Sequence, residues 1–501
     1  MKWNRVPALV RWCVVGGLLG IGFIVPALWL CVIVGAVLFI EMSITSSRFS
    51  VAVWGGLVAW SIKSLCAVWW FWYVFPFDSW LAVGGWWYEV LILGISWSVS
   101  GIALGSGGAL LSGLLWLVYT RLRLPVWLIV FGLPLLWIMS EKAGSFIFSL
   151  VTSGPGSFLQ SYFSFGYVGY LFGLSRFGIL LASLGGVYGL TLVIIGVAAA
   201  IRFLPRRARF VVVGAFMVMV VILQYTPLGT VLQQTDAPLG ITVAVIDTSF
   251  DAESVLAEGG LTLKANVLEQ AVAAALTLQT DFILLPEDSR YLSLVYPRST
   301  IKQSFATYQF SHSTSSSVII DSGKTELLTG ELVQRARLFS GTAGYLYEFD
   351  KQYLVPQGEF VPYVFRLMLK LSGSALAVLS QPSVGRYEPG PLKQEGTIDV
   401  QVPGILFCFE SARPDGSMVL TTSRTTPRFI VHPISHAWFH TPNLLWVQLD
   451  VMLQIQARQA SVPIVGSGNM VAGKTYLPSG EVIEESAVAS GPRFQVRLVN
   501  L

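Results

Sequence analysis

Apolar positions run along this chain in two different rhythms. Up to about residue 230 they form long blocks, near 9–24, 26–40, 51–75, 89–119, 125–140, 177–200 and 210–226. Blocks of this length and polarity predict about seven membrane-crossing helices. The first two share one run broken near Pro26, so they predict a tight hairpin rather than two independent spans. From residue 240 the blocks shorten: ITVAVID (241–247) and DFILLPED (281–288) are apolar strands ending in carboxylates, and a helical stretch near 258–278 lies between them. SSVIID (316–321), TELLTGEL (325–332), GYLYEFD (344–350), IDVQVPGILFCFE (398–410), RFIVHPI (428–434) and VPIVGS (462–467) continue the strand pattern. This alternation of helix and strand predicts a layered α/β sandwich with its chemistry at strand ends. The expected organisation is a transmembrane α-helical bundle over 1–230 followed by a soluble α/β domain over 238–501.

Composition agrees with that division. The 501 residues are 54% hydrophobic and 12% charged, with a mean hydropathy of +0.65, outside the range of water-soluble globular chains. Residues 1–230 carry 13 Lys and Arg against 4 Asp and Glu, whereas 231–501 carry 19 against 24. The basic residues of the first part cluster between the apolar runs: Lys2, Arg5 and Arg11; Arg48; Arg121 and Arg123; Arg202, Arg206, Arg207 and Arg209. All four clusters fall on one side of the predicted bundle, which the positive-inside rule makes cytoplasmic. Seven crossings then place the soluble domain on the other side. The opposite loops, near Pro26 and over 76–88 and 143–175, are aromatic and nearly free of Lys and Arg. Further apolar runs follow the first one, with no small-residue cleavage site between, so it reads as an anchor and not a removable signal. Two charges sit awkwardly: Lys63 falls inside the third run, where snorkelling or a displaced span is the plainer explanation, and Glu141 closes the fifth on the outer side.

Cys13, Cys31 and Cys66 lie in apolar runs and read as small hydrophobes, while Cys408 is alone in the second part. A lone thiol there is either a buried structural residue or a reactive one. Three polar residues sit at or just past strand candidates: Glu287 after FILLP, Lys351 after YLYEFD, and Cys408 within GILFCFE. Singly, each is an ordinary solvated strand end. Together they supply a carboxylate base, a fixed cation for a developing oxyanion and a thiol nucleophile, the set that cysteine acyl chemistry requires.

PED (286–288), KQYLVPQGEFVP (351–362), C-x-E (408–410) and AWF (437–439) resemble the nitrilase, or carbon–nitrogen hydrolase, superfamily, and more narrowly bacterial apolipoprotein N-acyltransferase. LWIMSEK (136–142) and FGYVGY (165–170) extend the resemblance into the membrane part. It implies a nitrilase-like αββα sandwich carried on a membrane-helix bundle, in the bacterial cell (inner) membrane with the sandwich on the extracytoplasmic side. It further implies Glu287 as general base, Lys351 as oxyanion-stabilising cation and Cys408 as nucleophile. Glu359 would orient Lys351 or share the proton, Phe409 and Glu410 would support the site, and Trp438 would contact substrate. The implied reaction takes an acyl chain from a membrane phospholipid onto Cys408 as a thioester, then passes it to the α-amino group of a lipoprotein's diacylglyceryl-cysteine. No cofactor and no nucleic acid enter it.

The sequence also departs from that family. Phe409 stands for a Tyr, Gln357 for an aromatic residue, Ser435-His436 for Asn-Asp and Gln459 for a Glu, and no membrane span follows the second domain up to Leu501. Two rivals therefore stand beside the transferase reading: a membrane-tethered amidase, and a degenerate lipoprotein-binding scaffold. His432, His436 and His440 recur at four-residue spacing, but Pro433 and strand character keep them off one helical face, against a metal site. Ser411 lacks a G-x-S-x-G elbow. The Gly cluster over 101–113 points to close helix packing, not phosphate binding.

Overall fold

The computed structural model describes residues 6–75, 86–225, 238–327, 329–371, 387–390, 402–421, 426–440 and 443–501. Lys2 and Arg5, residues 76–85 of one outer loop, the 226–237 stretch at the expected domain boundary and residues 398–401 lie outside them.

The apolar blocks of the first part become helices α1 (Ala8–Ile24), α2 (Cys31–Thr45), α3 (Phe49–Ala67), α4 (Trp86–Trp116) and α5 (Val126–Val151). After two short helices, α6 (Val168–Gly173) and α7 (Arg176–Leu181), come α8 (Gly186–Phe203) and α9 (Arg206–Tyr225). Among the described residues, α3, α4 with its continuation to Leu122, α5 and α8 are long and apolar enough to cross a membrane. The remaining three predicted runs form α1, α2 and α9, the first two being the shorter hairpin pair. Small residues let the helices approach closely. A Cβ on Gly56 would collide with the Gly108 carbonyl, one on Gly108 with the Trp60 ring, and one on Gly144 with the Leu104 carbonyl. The glycine cluster of α4 is thus a packing seam against α3 and α5.

α5 differs from its prediction. It does not stop at Glu141 but runs ten residues further, to Val151. Glu141 is buried mid-helix because Lys63 of α3, equally buried, pairs with it at 3.5 Å. Lys63 therefore does not snorkel.

The basic loops gather at one end of the bundle. Arg202 at the end of α8 pairs with Glu41 near the end of α2, and the Trp116 indole of α4 donates to the Ser46 carbonyl beyond α2. The second part docks at the other end, where the Gln448 amide donates to Ala67 O at 2.9 Å and His440 N–H to Tyr73 O at 3.0 Å.

In the second part, seven strands hydrogen-bond in the order β11-β12-β1-β2-β3-β4-β5: β1 (Thr242–Thr248), β2 (Phe282–Leu284), β3 (Val318–Glu326), β4 (Leu332–Ser340), β5 (Gly344–Asp350), β11 (Ala487–Gly491) and β12 (Phe494–Asn500). A second group pairs as β6-β7-β8-β9-β10: β6 (Gly404–Ile405), β7 (Ile430–Ser435), β8 (Ile464–Asn469), β9 (Thr475–Tyr476) and β10 (Val482–Ile483). One pair, Thr248 with Asn469, joins the groups.

Side-chain alternation decides the layering. Val243 and Val245 of β1, Phe282 and Leu284 of β2, and Leu338 of β4 share one core with Ile405, Val431 and Val465 of the second group. Their neighbours Ala244, Ile246 and Ile283 face outward onto α10 (Gly260–Leu276), through Val267, Leu268, Ala271, Val272 and Ala275. Ile430 and Ile464 face outward onto Leu453 and Ala457 of α11 (Asn443–Ala460). The result is a helix–sheet–sheet–helix sandwich. α11 has a second apolar face: Leu445, Leu449, Met452 and Ile455 join the core of the helical bundle. One helix thus belongs to both hydrophobic cores.

Two strand predictions shift. TELLTGEL holds the end of β3 and the start of β4, because Gly330 at φ 82° turns the chain between them. IDVQVPGILFCFE keeps only Gly404–Ile405 as described strand, and Cys408 opens a 3-10 turn, Cys408–Ala412.

Leu284 is fully buried between the sheets. Leu284→Ala is expected to cost about 2–5 kcal/mol, read as a lowered thermal transition of the purified full-length protein; an unchanged transition would deny the two-sheet core its role.

Candidate active site

Glu287, Lys351 and Cys408 each follow the carboxyl end of a strand: β2, β5 and β6. Strand ends release the backbone from the ladder, so side chains from separate strands can turn toward a common point. Lys351 is the centre. It is 1% exposed, and its Nζ donates to Glu287 Oε1 at 2.9 Å and Glu359 Oε1 at 2.8 Å. A buried ammonium is tolerated only when paired. The second oxygen of Glu359 accepts the Val355 N–H at 2.8 Å, which fixes that carboxylate in the loop between Lys351 and Phe360.

Burial alone would lower the Lys351 pKa, but Glu287 and Glu359 outweigh it and raise it, so the ammonium stays charged. Burial pushes Glu287 up to about 7, against the pull of Lys351 and with help from Glu359. A carboxyl group poised near neutrality has the proton affinity that suits a general base. Burial, reinforced by Glu287, likewise pushes the Cys408 thiol up to about 12; Lys351 and the Ser435 backbone N–H, which reaches the sulfur, oppose the shift. Cys408 therefore rests as a thiol, because desolvation outweighs the pull of Lys351.

Glu410 is not on a strand face with Cys408 but inside the 3-10 turn. Its buried carboxylate accepts the Gln352 N–H at 2.7 Å and the Phe407 N–H at 3.0 Å. It clasps the segment after Lys351 to the segment before Cys408. Phe409 turns toward the bundle, its ring centroid 6.0 Å from Tyr162 and 6.1 Å from Phe163. Trp438 is placed differently, half-exposed in the turn that follows β7.

The histidines go separate ways. His432 Nδ1 lies 2.6 Å from the Leu406 carbonyl, His436 Nδ1 accepts the Trp446 indole N–H at 2.5 Å, and burial lowers their pKa values to about 4 and about 3. His440 is exposed beyond them. Ser435 stood out in the sequence only as a departure, and its contribution here is a backbone N–H that no residue type announces. Gln357 was noted only as a departure; it takes φ 69° and its amide donates to Ser96 of α4 at 3.2 Å, so the site loop rests on the bundle.

No protein-family model and no curated protein matches the chain. Among solved structures the chain is similar to an amidase from Nesterenkonia sp. AN1, at 13% identity over 52% of this chain and 92% of the amidase, TM-score 0.35. It is also similar to a carbon–nitrogen hydrolase from Helicobacter pylori G27, at 12% over 52% and 89%, TM-score 0.35. A glutamine-dependent NAD+ synthetase from Acinetobacter baumannii matches at 15% over 52% and 44%, TM-score 0.35.

Below about pH 7 Glu287 is protonated and cannot take the thiol proton; above it, it can. Alkylation of Cys408 by iodoacetamide, followed on the Cys408 peptide by mass spectrometry, is expected to rise with pH through a midpoint near 7 and to lose that step in Glu287→Gln. A rate that climbs only toward the thiol's own value of about 12 would count against Glu287 as base.

Proposed function

We propose that this chain is a membrane-embedded acyltransferase that N-acylates the terminal diacylglyceryl-cysteine of lipoproteins, with a membrane phospholipid as acyl donor. The observation that carries the reading is the buried Lys351 held between Glu287 and Glu359 beside Cys408. In the first half-reaction Cys408 Sγ attacks the ester carbonyl as Glu287 takes the thiol proton. Lys351 faces the oxyanion of the tetrahedral intermediate. The C–O bond breaks, the proton passes to the leaving alkoxide, and a lysophospholipid departs from a Cys408 thioester. In the second, the neutral α-amine of the acceptor attacks the thioester, a C–N bond forms, the C–S bond breaks, and the amine's proton returns through Glu287 to the thiolate.

The helical part supports a lipid substrate pair in preference to a soluble one. Among its described residues four helices are long and apolar enough to cross a membrane, and the loop that bears Glu359 touches the bundle through Gln357 and Ser96. In this reading residues 1–230 hold the protein in a bacterial cell membrane, and 238–501 work at its outer face, at the end of the bundle opposite the basic loops. In this reading the cycle calls for no cofactor.

Incubation with phospholipid nanodiscs should add one acyl mass to the intact protein, and Cys408→Ala should abolish it. Glu287→Gln should slow its appearance by about 10²–10⁴-fold. A diacylglyceryl-cysteine peptide should discharge the adduct as an amide. Discharge only as free fatty acid would replace the transferase by a membrane-tethered amidase, and no adduct at all would leave a binding scaffold.

A further inference from the structure

The Lys63–Glu141 pair lies inside the helical bundle, away from the chemistry. The side chains are 3% and 1% exposed, and Lys63 also sits 4.0 Å over the Trp60 ring. Burying two charges in an apolar bundle costs more than a pair of apolar side chains of like size, so packing alone does not account for them. What the carboxylate holds does. Glu141 Oε1 accepts the Val168 N–H at 2.9 Å, as well as the Trp137 indole N–H at 3.3 Å. Val168 is the first residue of α6, and its N–H, like any at a helix start, has no partner within the helix.

From α6 the connection runs to the nucleophile. Ser164 has a single hydroxyl proton, which it gives to Ala412 O at 2.6 Å; the Tyr170 hydroxyl of α6 therefore donates to Ser164 Oγ, at 2.8 Å. The Ser164 N–H donates to the same Ala412 carbonyl at 3.1 Å. Ala412 closes the Cys408–Ala412 turn, and Tyr162 and Phe163, next to Ser164, pack on Phe409. The 162–170 segment thus grips the nucleophile's turn at one end and is pinned to the bundle at the other by Glu141.

We propose that Glu141, kept as a buried acceptor by Lys63, is a positioning residue for Cys408, acting through Val168, Tyr170 and Ser164 on the Cys408–Ala412 turn. The inference rests on Cys408 being the nucleophile of the function proposed above. What positions Cys408 is the acceptor at residue 141, not the charge.

Two double variants of the full-length protein separate these possibilities. Lys63→Met with Glu141→Gln removes both charges and keeps an acceptor oxygen for Val168. Lys63→Met with Glu141→Leu removes the acceptor as well. The readout is the iodoacetamide alkylation rate of Cys408 against pH, below the thermal transition of each variant. The Gln pair is expected within about threefold of wild type with the same pH midpoint, and the Leu pair at least about tenfold slower, the scale of a misplaced reacting group. Equal rates in both pairs, whether both normal or both slow, overturn the inference. Ser164→Ala, which leaves the ion pair in place, is expected to slow alkylation about three- to tenfold; it decides the matter if the Leu pair does not fold, and a wild-type rate there overturns the inference. Alkylation needs no acyl donor. If the variants order as expected but no thioester forms from phospholipid nanodiscs, the proposed function fails and the positioning role stands.

Discussion

A lysine ammonium removed from water must be neutralised where it lies, and Lys351 is neutralised by two carboxylates from two other stretches of chain. That requirement organises the site. It draws the end of β2, the end of β5 and the QGEF loop to one point, and through Glu410 it ties that point to the turn carrying Cys408. Burial then sets the proton positions: the cation keeps its charge, Glu287 sits near neutrality and the thiol stays protonated. Such an arrangement leaves a carboxyl group and a thiol in the states from which a proton transfer between them can start.

The site is also fastened to the helical bundle at several points. α11 presents one face to the second sheet and the other to the bundle core, while Gln357, Ser164 and Gln448 each bridge the two parts by hydrogen bonds. A sandwich tethered only by a linker would swing away from the membrane surface. Here the Cys408 turn, the Glu359 loop and α11 all rest on the same end of the bundle.

Much of this was legible in the sequence, for physical reasons that can be named. Long apolar blocks gave helices, and short apolar runs alternating with helical stretches gave the sandwich, because both patterns record what is buried. The three polar residues after strands marked the site because polar groups at such ends need a reason when they converge. The misses are tertiary. GILFCFE reads as strand, yet the Glu410 carboxylate accepts the Phe407 N–H and curls the chain into a turn at Cys408. α5 seems to end at Glu141 until Lys63, 78 residues away, is seen beside it. Ser435 contributes through its main chain, which side-chain reasoning does not see.

The proposed chemistry needs Glu287 to be a carboxyl group held near neutrality by burial against a paired cation. Infrared difference spectra of the full-length protein against Glu287→Gln, taken across pH, read its protonated-carboxyl stretch directly. The stretch should fade with a midpoint near 7. A band already lost by about pH 5, as for a solvated glutamate, would mean that Glu287 is not the poised base this site requires.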